Sequence, residues 1–381
     1  MDPLVGRRRA AQVAAALLLA LSGRADAAGP ERRLEWTCAG DGNGSSALSL
    51  SAMVEGQGGW AGRDAAVIHG DASDGPGVAV RAARLELCGR RDTRRGRVWY
   101  RLGYEPWSLT ERATPAAQPW GKLLAAEVGW APWSWLGFYL GVRKLDFLFG
   151  HDEPEEALTL PARPFITTSV APDRRWGLTI DDDFGVAHIT LGVYEGAQNL
   201  NPTLKGGLLI TARLRAEPIG PVGYALSTVY DDPAWRRRVR FAINASVLLE
   251  YTSDYNGYVI AADVPIKWGP LGIGAEYVWA SSTREQGPIK MPVVWSRQGA
   301  WAGFALMMWR PYLELAARYD WLDTPVDPLR TFHAATVGLN GYLWKTRARL
   351  QVMYTHKFHA VADDEVLFAV SFAGSVDAIG R

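Results

Sequence analysis

The chain has 381 residues, a formal net charge of +1, 17 tryptophans, 14 tyrosines and 40 glycines, and its mean hydropathy is −0.08. The near-zero net charge provides no global field that would attract nucleic acid or an acidic partner. The two cysteines do not form a CxxC spacing, which excludes the common zinc and redox motifs.

The first 27 residues have the organisation of a secretory signal peptide. Arg7–Arg9 supply positive charge, Ala10–Leu21 form an apolar stretch, and Ala25-Asp26-Ala27 is a small-x-small cleavage pattern. The apolar stretch is shorter than the ~20 residues that a membrane-spanning helix needs. We therefore expect export and cleavage before Ala28, with an uncleaved anchor as the alternative.

The rest of the chain alternates apolar and polar residues, as strands of a membrane barrel do. Between Lys205 and Pro218, for example, apolar side chains share one face and charged or polar ones the other, because strand side chains have a period of two. From Gly177 onward the pattern recurs in segments of ~10 residues separated by Gly, Pro, Asp and Asn. The sequence therefore predicts an all-β fold, a transmembrane antiparallel β-barrel.

Two kinds of connection separate the predicted strands. Some are tight, as at Pro218–Pro221, and others are long, as at Phe149–Asp173. Outer-membrane barrels have short periplasmic turns and long external loops, so this favours a barrel over a sandwich. A direct tally gives seventeen strands, but single-chain bacterial barrels have even counts, and we predict sixteen. The open points are Ala47–Glu55 and the chain direction between Val239 and Lys267.

The sequence thus divides into a signal peptide (1–27), an N-terminal periplasmic segment (28–44), a barrel (45–373) and a C-terminal tail (374–381). Outer-membrane barrels usually end on an aromatic residue. We therefore expect the last strand to end at Phe372.

Two long stretches, Lys122–Ile180 and Trp268–Asp323, and the later run TVGLNGYLWKTRARLQVMYTH resemble the phosphate-selective porin O and P family. The resemblance implies a sixteen-stranded outer-membrane porin, a homotrimer, with one loop folded inward to narrow the channel. By position, that loop is similar to Phe149–Ser169. Phosphate-selective members use clustered lysines, and this sequence has no lysine cluster in the matching region. Selectivity for anions or phosphate is therefore expected to be weak at most.

The predicted inward loop and the start of the next strand contain candidate constriction residues. Opposed acidic and basic groups across a narrow part of a channel orient and select solutes. The alternative is an acidic external loop that is solvated, or bridged by divalent ions to lipopolysaccharide. The candidates are His151, Asp152, Glu153, Glu155, Glu156, Arg163, Arg174 and Arg175.

A second group of charges lies on the polar faces of the predicted strands. A charge facing lipid near mid-membrane costs ~2–4 kcal/mol, so these side chains should point into the lumen. They either give a mild anion preference or pair with one another and hold the wall and loops, which is the interpretation we favour. The group consists of Arg213, Arg215, Arg240, Arg318, Arg347, Arg349, Glu217, Glu250, Asp263, Glu276, Glu314 and Asp320.

Two further features concern the predicted periplasmic side. Cys38 and Cys88 suit one disulfide in an oxidising compartment, with free thiols as the alternative. The four arginines within residues 90–95 flank a predicted turn and are expected to lie in solvent.

Motifs of catalysis are missing from the sequence, which has no GxSxG elbow, HExxH, P-loop or dinucleotide fingerprint. His356 and His359 are close together, but this spacing alone is more often a surface feature than a metal site. We expect no enzyme, no cofactor and no metal.

Together the sequence predicts a porin in the outer membrane of a Gram-negative bacterium, with a water-filled channel for passive diffusion. The expected partners are outer-membrane lipid and lipopolysaccharide and small solutes or anions, but not nucleic acid. One alternative is a secreted, soluble β-sandwich that binds glycans through tryptophan. Another is an outer-membrane barrel with a plugged, non-conducting lumen, acting as an adhesin or assembly factor.

Overall fold

A computed structural model describes residues 46–61, 75–107, 122–154, 157–172, 174–196, 207–231, 237–252, 255–286, 291–323, 331–343, 348–358 and 363–379. These residues form sixteen antiparallel strands that pair in chain order, and the last strand pairs with the first. The sheet therefore closes into a barrel. The predicted all-β barrel of sixteen strands is confirmed, and the soluble β-sandwich alternative is wrong because one sheet closes on itself.

Two short helices, α1 (Phe149–Asp152) and α2 (Phe165–Val170), lie between the fifth and sixth strands. The strands are β1 (Ser46–Ala61), β2 (Gly75–Thr93), β3 (Gly96–Trp107), β4 (Lys122–Trp133), β5 (Leu136–Arg143), β6 (Arg175–Asp183), β7 (Ala187–Glu195), β8 (Leu208–Ala216), β9 (Arg240–Phe241 and Ile243–Tyr251), β10 (Tyr255–Trp268), β11 (Leu271–Gln286), β12 (Met291–Trp309), β13 (Leu313–Asp323), β14 (Thr331–Leu343), β15 (Ala348–Phe358) and β16 (Asp363–Ile379).

The interruption of β9 explains why the region after Val239 is hard to trace from sequence. Ala242 donates its backbone N–H to the carbonyl oxygen of Pro265 at 3.0 Å, but proline has no N–H to donate in return. The ladder is therefore broken at one position, and both pieces of β9 pair with β10. A count of separate pieces gives seventeen, although the barrel has sixteen strands.

The connections differ at the two ends of the barrel. At the end that we call the turn end, most are short, as at 94–95, 134–135 and 269–270, and most connections at the opposite loop end are longer. The alternation has exceptions at both ends, of which the clearest are the following. At the turn end β8 and β9 are joined by residues 217–239, so the tight turn predicted at Pro218–Pro221 is wrong. At the loop end β9 and β10 are joined by only three residues.

The outer face of the wall is mainly apolar where its side chains are described. Outward side chains alternate with buried inward ones along each strand, as the period of two requires. At the turn end Trp133 stacks on Trp135 with ring centroids 5.5 Å apart, and Trp309 meets Tyr312 at 5.3 Å. An apolar band bordered by aromatic rings is what a barrel presents to a bilayer. Exposed apolar residues of the wall include Leu102, Leu140, Leu191, Leu214, Ile260, Val337, Leu350 and Phe368.

The last strand continues past the predicted end at Phe372 and reaches Ile379. The first residues of β1 supply the reason, because Ala47 to Met53 pair with Ile379 to Ala373 and satisfy the backbone groups of both strands. The predicted signal peptide and the segment 28–44 lie outside the described residues. Within the described residues, no helix is both long enough and apolar enough to cross a bilayer.

Candidate functional site in the lumen

The charges predicted to face the lumen lie on the inner side of the barrel. They alternate with exposed outward residues, and every member that the structure describes is buried. Glu217 follows the end of β8, and Arg347 lies outside the described residues. The buried members are Arg213, Arg215, Arg240, Arg318, Arg349, Glu217, Glu250, Asp263, Glu276, Glu314 and Asp320.

The residues between β5 and β6 fold into the barrel from the loop end. We call residues 144–174 the β5–β6 segment, of which 155, 156 and 173 lie outside the described residues. Phe149 stacks on Trp301 with centroids 6.3 Å apart, and Phe165 meets Phe332 edge-on at 4.6 Å. The largest apolar cluster among the described residues therefore lies inside the lumen, between this segment and the wall from β7 to β12, and Phe165 packs on β14. The loop predicted to fold inward is part of this segment.

Arg213 of β8 fastens the first part of the β5–β6 segment to the wall. Its guanidinium contacts the carboxylates of Asp152, of Asp146 at 3.0 Å and of Asp263 at 3.4 Å. The Arg213 side chain is only 1% exposed, so three carboxylates share one cation away from bulk water. Burial and the neighbouring Asp146 carboxylate raise the pKa of Asp152. Asp152, a predicted constriction residue, is thus engaged in packing the segment.

Two wall carboxylates accept hydrogen bonds from the short helices. Glu276 accepts from the backbone N–H of Gly150 at 3.0 Å and from the Thr167 hydroxyl at 2.8 Å. Asp320 accepts from the backbone N–H of Phe165 at 3.2 Å. The first N–H groups of a helix have no partner within the helix, so these carboxylates satisfy groups that would otherwise be buried and unpaired.

Arg163 closes the other end of α1. Its guanidinium donates to the carbonyl oxygens of Gly150, His151 and Glu153 at 2.6, 2.8 and 2.8 Å. Carbonyl groups in the last turn of a helix lack intrahelical donors, and a basic side chain can satisfy them. The predicted constriction residue Arg163 therefore braces its own segment.

Two wall arginines donate to carbonyl oxygens of the same segment. Arg318 bonds to Ala162 and Arg349 bonds to Leu158, each at 2.7 Å. These contacts agree with the interpretation that the lumen charges hold the loop, and their effect on solutes stays a prediction.

Two further constriction candidates lie at the start of β6. Arg175 begins β6 and donates to the carbonyl oxygen of Arg174 at 3.3 Å, and both are partly exposed. Glu155 and Glu156 lie outside the described residues.

A second segment, which the sequence pattern did not predict, enters the lumen from the turn end. We call residues 217–239 the β8–β9 segment, of which 232–236 lie outside the described residues. Leu226, Ser227 and Thr228 are buried. At Gly272 of β11 an added Cβ would lie 2.1 Å from the Leu226 carbonyl oxygen, so the close approach requires glycine. The available signal is that strand alternation does not resume between Pro218 and Val239.

The two segments meet inside the barrel. One carboxylate oxygen of Glu153 accepts from the backbone N–H of Leu226 at 3.1 Å, and from the N–H and hydroxyl of Thr159 at 3.2 and 2.8 Å. The next residue, Ser227, donates its hydroxyl to Glu314 of the wall. Burial raises the pKa of Glu153.

Two ion clusters fasten the ends of the β8–β9 segment. Glu217 accepts from Arg215 at 2.5 Å. Burial opposes ionisation of Glu217, but the Arg215 guanidinium outweighs it and holds the pKa of Glu217 below its usual range. At the other end, Asp231 bridges Arg240 and Lys267, with 2.6 Å to the lysine nitrogen. Each cation is therefore matched to a carboxylate of the segment.

The opposite wall, β2 to β5, carries ion pairs that the sequence analysis did not single out. Each of these pairs joins two adjacent strands, and none includes a residue of the two inward segments. The pairs are Arg84–Glu105 (3.8 Å), Arg101–Glu86 (2.6 Å), Arg101–Glu127 (3.8 Å) and Arg143–Glu127 (3.6 Å). The period-two spacing of Arg84, Glu86, Arg101 and Glu105 was the available signal.

Exposure separates the two sides of the lumen. The side chains of Arg84, Arg101 and Arg143 are 16%, 19% and 13% exposed. Those of Arg213 and Arg349 are 1% and 2% exposed. Solvent therefore reaches the β2–β5 wall more readily than the wall on which the two segments pack.

The structure bears on the predicted disulfide and on metal binding. Cys88 is buried in β2 and is not a free thiol. Cys38 lies outside the described residues, so their pairing stays a prediction. In the part of the chain that the structure describes, no group of three or more His, Cys, Asp or Glu side chains is arranged to hold a metal ion.

Comparison with known proteins finds similarity at the level of structure. No family model and no curated protein sequence matches the chain. An anion-selective porin from Comamonas acidovorans superposes with a TM-score of 0.62 at 13% identity, over 86% of this chain and 100% of that one. OmpT of Vibrio cholerae, also solved in a trimer form, gives 0.61 at 7% identity over 87% and 99%. The outer-membrane channel DcaP of Acinetobacter baumannii gives 0.59 at 12% identity over 87% and 98%.

These identities are low, and the likeness therefore concerns the fold. The chain shares the barrel fold of these neighbours over most of its length, and the neighbours are covered almost completely.

Proposed function

We propose that the chain is an outer-membrane porin whose channel runs off-centre, along the wall formed by β2 to β5. The observation that carries this proposal is the difference in arginine exposure between the two sides of the lumen. The β5–β6 and β8–β9 segments occupy the side of β8 to β15, where Arg213 is 1% exposed, whereas Arg101 on the opposite side is 19% exposed. Small solutes would diffuse passively along the side that keeps contact with water.

The apolar outer wall and its aromatic border support insertion in a bilayer. The predicted signal peptide and disulfide suit an exported protein of a Gram-negative bacterium. The turn end would then face the periplasm and the loop end the outside, since short turns of such barrels are periplasmic.

The β2–β5 pairs support a weak preference for anions. Charge is balanced within the pairs, but the arginines are 13–19% exposed while their carboxylate partners are only 3–10% exposed. A solute in the channel would therefore meet guanidinium groups first. Arginine offers a forked donor suited to carboxylate and phosphate, so small organic anions and phosphate are the proposed solutes.

The proposed assembly is a homotrimer. Its support is the sequence resemblance to a trimeric porin family and the trimer form recorded for OmpT of Vibrio cholerae. Outer-membrane lipid and lipopolysaccharide are the proposed surroundings.

The test is the reversal potential of the refolded protein in planar bilayers across a salt gradient, with chloride and then phosphate as the anion. We expect ohmic conductance and a weak anion preference. Replacing Arg84, Arg101 and Arg143 by glutamine should shift the reversal potential toward cation preference, because Glu86, Glu105 and Glu127 remain. The control is Arg349→Gln, which removes an arginine on the filled side. It should lower stability, because Arg349 donates to the Leu158 carbonyl oxygen, but should leave selectivity unchanged. Cation preference of the unmodified protein would contradict the proposed selectivity.

A second candidate function is a plugged barrel that does not conduct. The observation that favours it is that two segments enter from opposite ends and meet at Glu153 and Leu226. It predicts a membrane-bound, heat-modifiable protein without conductance, whereas the porin proposal predicts conductance from the same preparation.

A further inference from the structure

The turn between β2 and β3 carries a dense cluster of positive charge. Residues 90–97 read Arg-Arg-Asp-Thr-Arg-Arg-Gly-Arg, so five arginines and one aspartate give +4 (5 − 1). Asp92 is engaged with Arg97 at 2.5 Å. Arg91, Arg94 and Arg95 are exposed. Nothing in the proposed channel uses these three guanidinium groups.

The turn is held in one conformation. The hydroxyl of Thr93 donates to the Gly96 carbonyl oxygen at 2.6 Å and accepts from the Arg95 backbone N–H at 3.2 Å. Gly96 has a φ of +111°, which favours glycine. The indole N–H of Trp130 donates to the Arg95 carbonyl oxygen at 3.1 Å. The arginines are thus tied to an aromatic residue of the outer wall.

The position of Trp130 sets the level of the turn relative to the bilayer. Trp130 is 44% exposed on the lipid side, next to the exposed Trp133 and Trp135. Tryptophans of this kind sit at the headgroup level of a membrane. Trp130 is paired with Val98, and at ~3.3 Å per residue the turn tip lies within ~10 Å beyond that level. The long arginine side chains can therefore reach the headgroup layer.

We propose that Arg91, Arg94 and Arg95 bind the phosphate groups of anionic phospholipids in the periplasmic leaflet. Forked guanidinium donors match phosphate oxygens, and their charge is permanent. Arg91 has the same parity in β2 as the exposed Leu85, which places it on the lipid side of the wall rather than over the lumen. The inference goes beyond the proposed channel and rests on the barrel lying in a bilayer with its turn end in the periplasm, as proposed above.

The test measures lipid selectivity at the protein surface. The full chain is reconstituted in phosphatidylcholine vesicles that contain spin-labelled phosphatidylglycerol or spin-labelled phosphatidylcholine, and the motionally restricted lipid is quantified by electron paramagnetic resonance. We expect the wild type to prefer phosphatidylglycerol, and the preference to fall about fivefold or more in the variant with Arg91, Arg94 and Arg95 replaced by glutamine. Added salt should weaken the preference of the wild type, because exposed charges are screened.

The matched control replaces Arg237 and Arg238, which are exposed at the same end but belong to the β8–β9 segment. The control should keep the preference. Equal loss in both variants, or no loss in the triple variant, would overturn the proposal. Sedimentation of the wild type but not the triple variant with purified peptidoglycan, without lipid preference, would also overturn it in favour of a different partner. Normal heat-modifiable migration and conductance of the triple variant would show that this failure leaves the porin proposal intact.

Discussion

Most of the charged residues that lie inside the barrel form ion pairs or hydrogen bonds with other groups of the protein. Arg213 contacts three carboxylates, and Arg163 and Arg349 donate to backbone carbonyl groups of the β5–β6 segment. A buried charge is costly unless it is paired and hydrogen-bonded, so each such residue commits its neighbours to one arrangement. Removing one partner should therefore be more damaging than its contact area suggests.

Arg213→Leu tests this at the most crowded position. The substitution leaves Asp146, Asp152 and Asp263 buried without their shared cation, and we expect the free energy of unfolding to fall by ~3–5 kcal/mol. Urea unfolding in detergent, followed by heat-modified migration, would measure it. Arg237→Leu removes an exposed arginine and should cost little; equal losses for the two variants would refute the structural role of Arg213.

Glu153 provides a pH prediction. Burial raises its pKa in the folded protein, so folded protein binds this proton more tightly than the unfolded chain. Protonated Glu153 therefore stabilises the folded protein. This contribution is fully present below the pKa of ~4.3 that glutamate has in the unfolded chain, and it is lost as the pH rises through the higher pKa of Glu153 in the folded protein. Glu153→Gln resembles the protonated form and keeps an oxygen acceptor for Leu226.

The unfolding temperature should therefore differ little between Glu153→Gln and wild type at pH 4, with the variant becoming the more stable of the two as pH rises. Asp152 titrates in the same sense in both proteins, and the difference between them isolates Glu153. A variant that is less stable by the same amount at every pH would contradict the assignment.

At the level of elements, the two inward segments decide how much of the lumen is open. The β5–β6 segment is anchored through Glu276 and Asp320, and the β8–β9 segment through Glu314 and Asp231. They touch at Leu226 and Glu153.

Replacing residues 221–229 by a Gly-Ser linker of equal length should raise single-channel conductance. The linker cannot bury an apolar side chain at position 226 or bond to Glu314, so that part of the lumen would become accessible to water. Planar-bilayer recording measures the change. Ile219→Ser alters an exposed residue of the same segment and should leave conductance as it is. Unchanged conductance in the linker variant would mean that the β8–β9 segment does not close this part of the lumen to water.

For the whole molecule, the proposed function requires that the outer face of the wall contacts lipid rather than water. Leu191, in the middle of β7, and Ile219, in the β8–β9 segment, are almost equally exposed, at 48% and 46%. In water the two positions would respond alike to a charge. In a bilayer only Leu191 faces hydrocarbon.

Leu191→Arg should therefore lose ~2–4 kcal/mol of stability in lipid vesicles, whereas Ile219→Arg should be nearly neutral. Folding titrations into vesicles, read out by heat-modified migration, would compare the two. Equal tolerance at both positions would indicate that the wall does not contact lipid.

The sequence by itself determined the class of the fold. An alternation of period two, repeated over most of the chain with aromatic residues near strand ends, fixes which side chains face lipid and which face inward, because that choice depends only on local strand geometry. The same alternation predicted that the charges on β8 to β15 face inward, whereas the location of one inward loop came from the resemblance to a porin family.

The tertiary structure alone decided how the lumen is filled. The interruption at Ala242 depends on Pro265 of another strand, and the last strand continues past Phe372 because β1 supplies partners. The β8–β9 segment has no regular period, and its buried position depends on Glu314, Gly272 and Glu153, which are distant in sequence. Arg84 and Arg213 carry the same charge. Only the packing of the two segments explains why Arg84 keeps contact with water while Arg213 is enclosed.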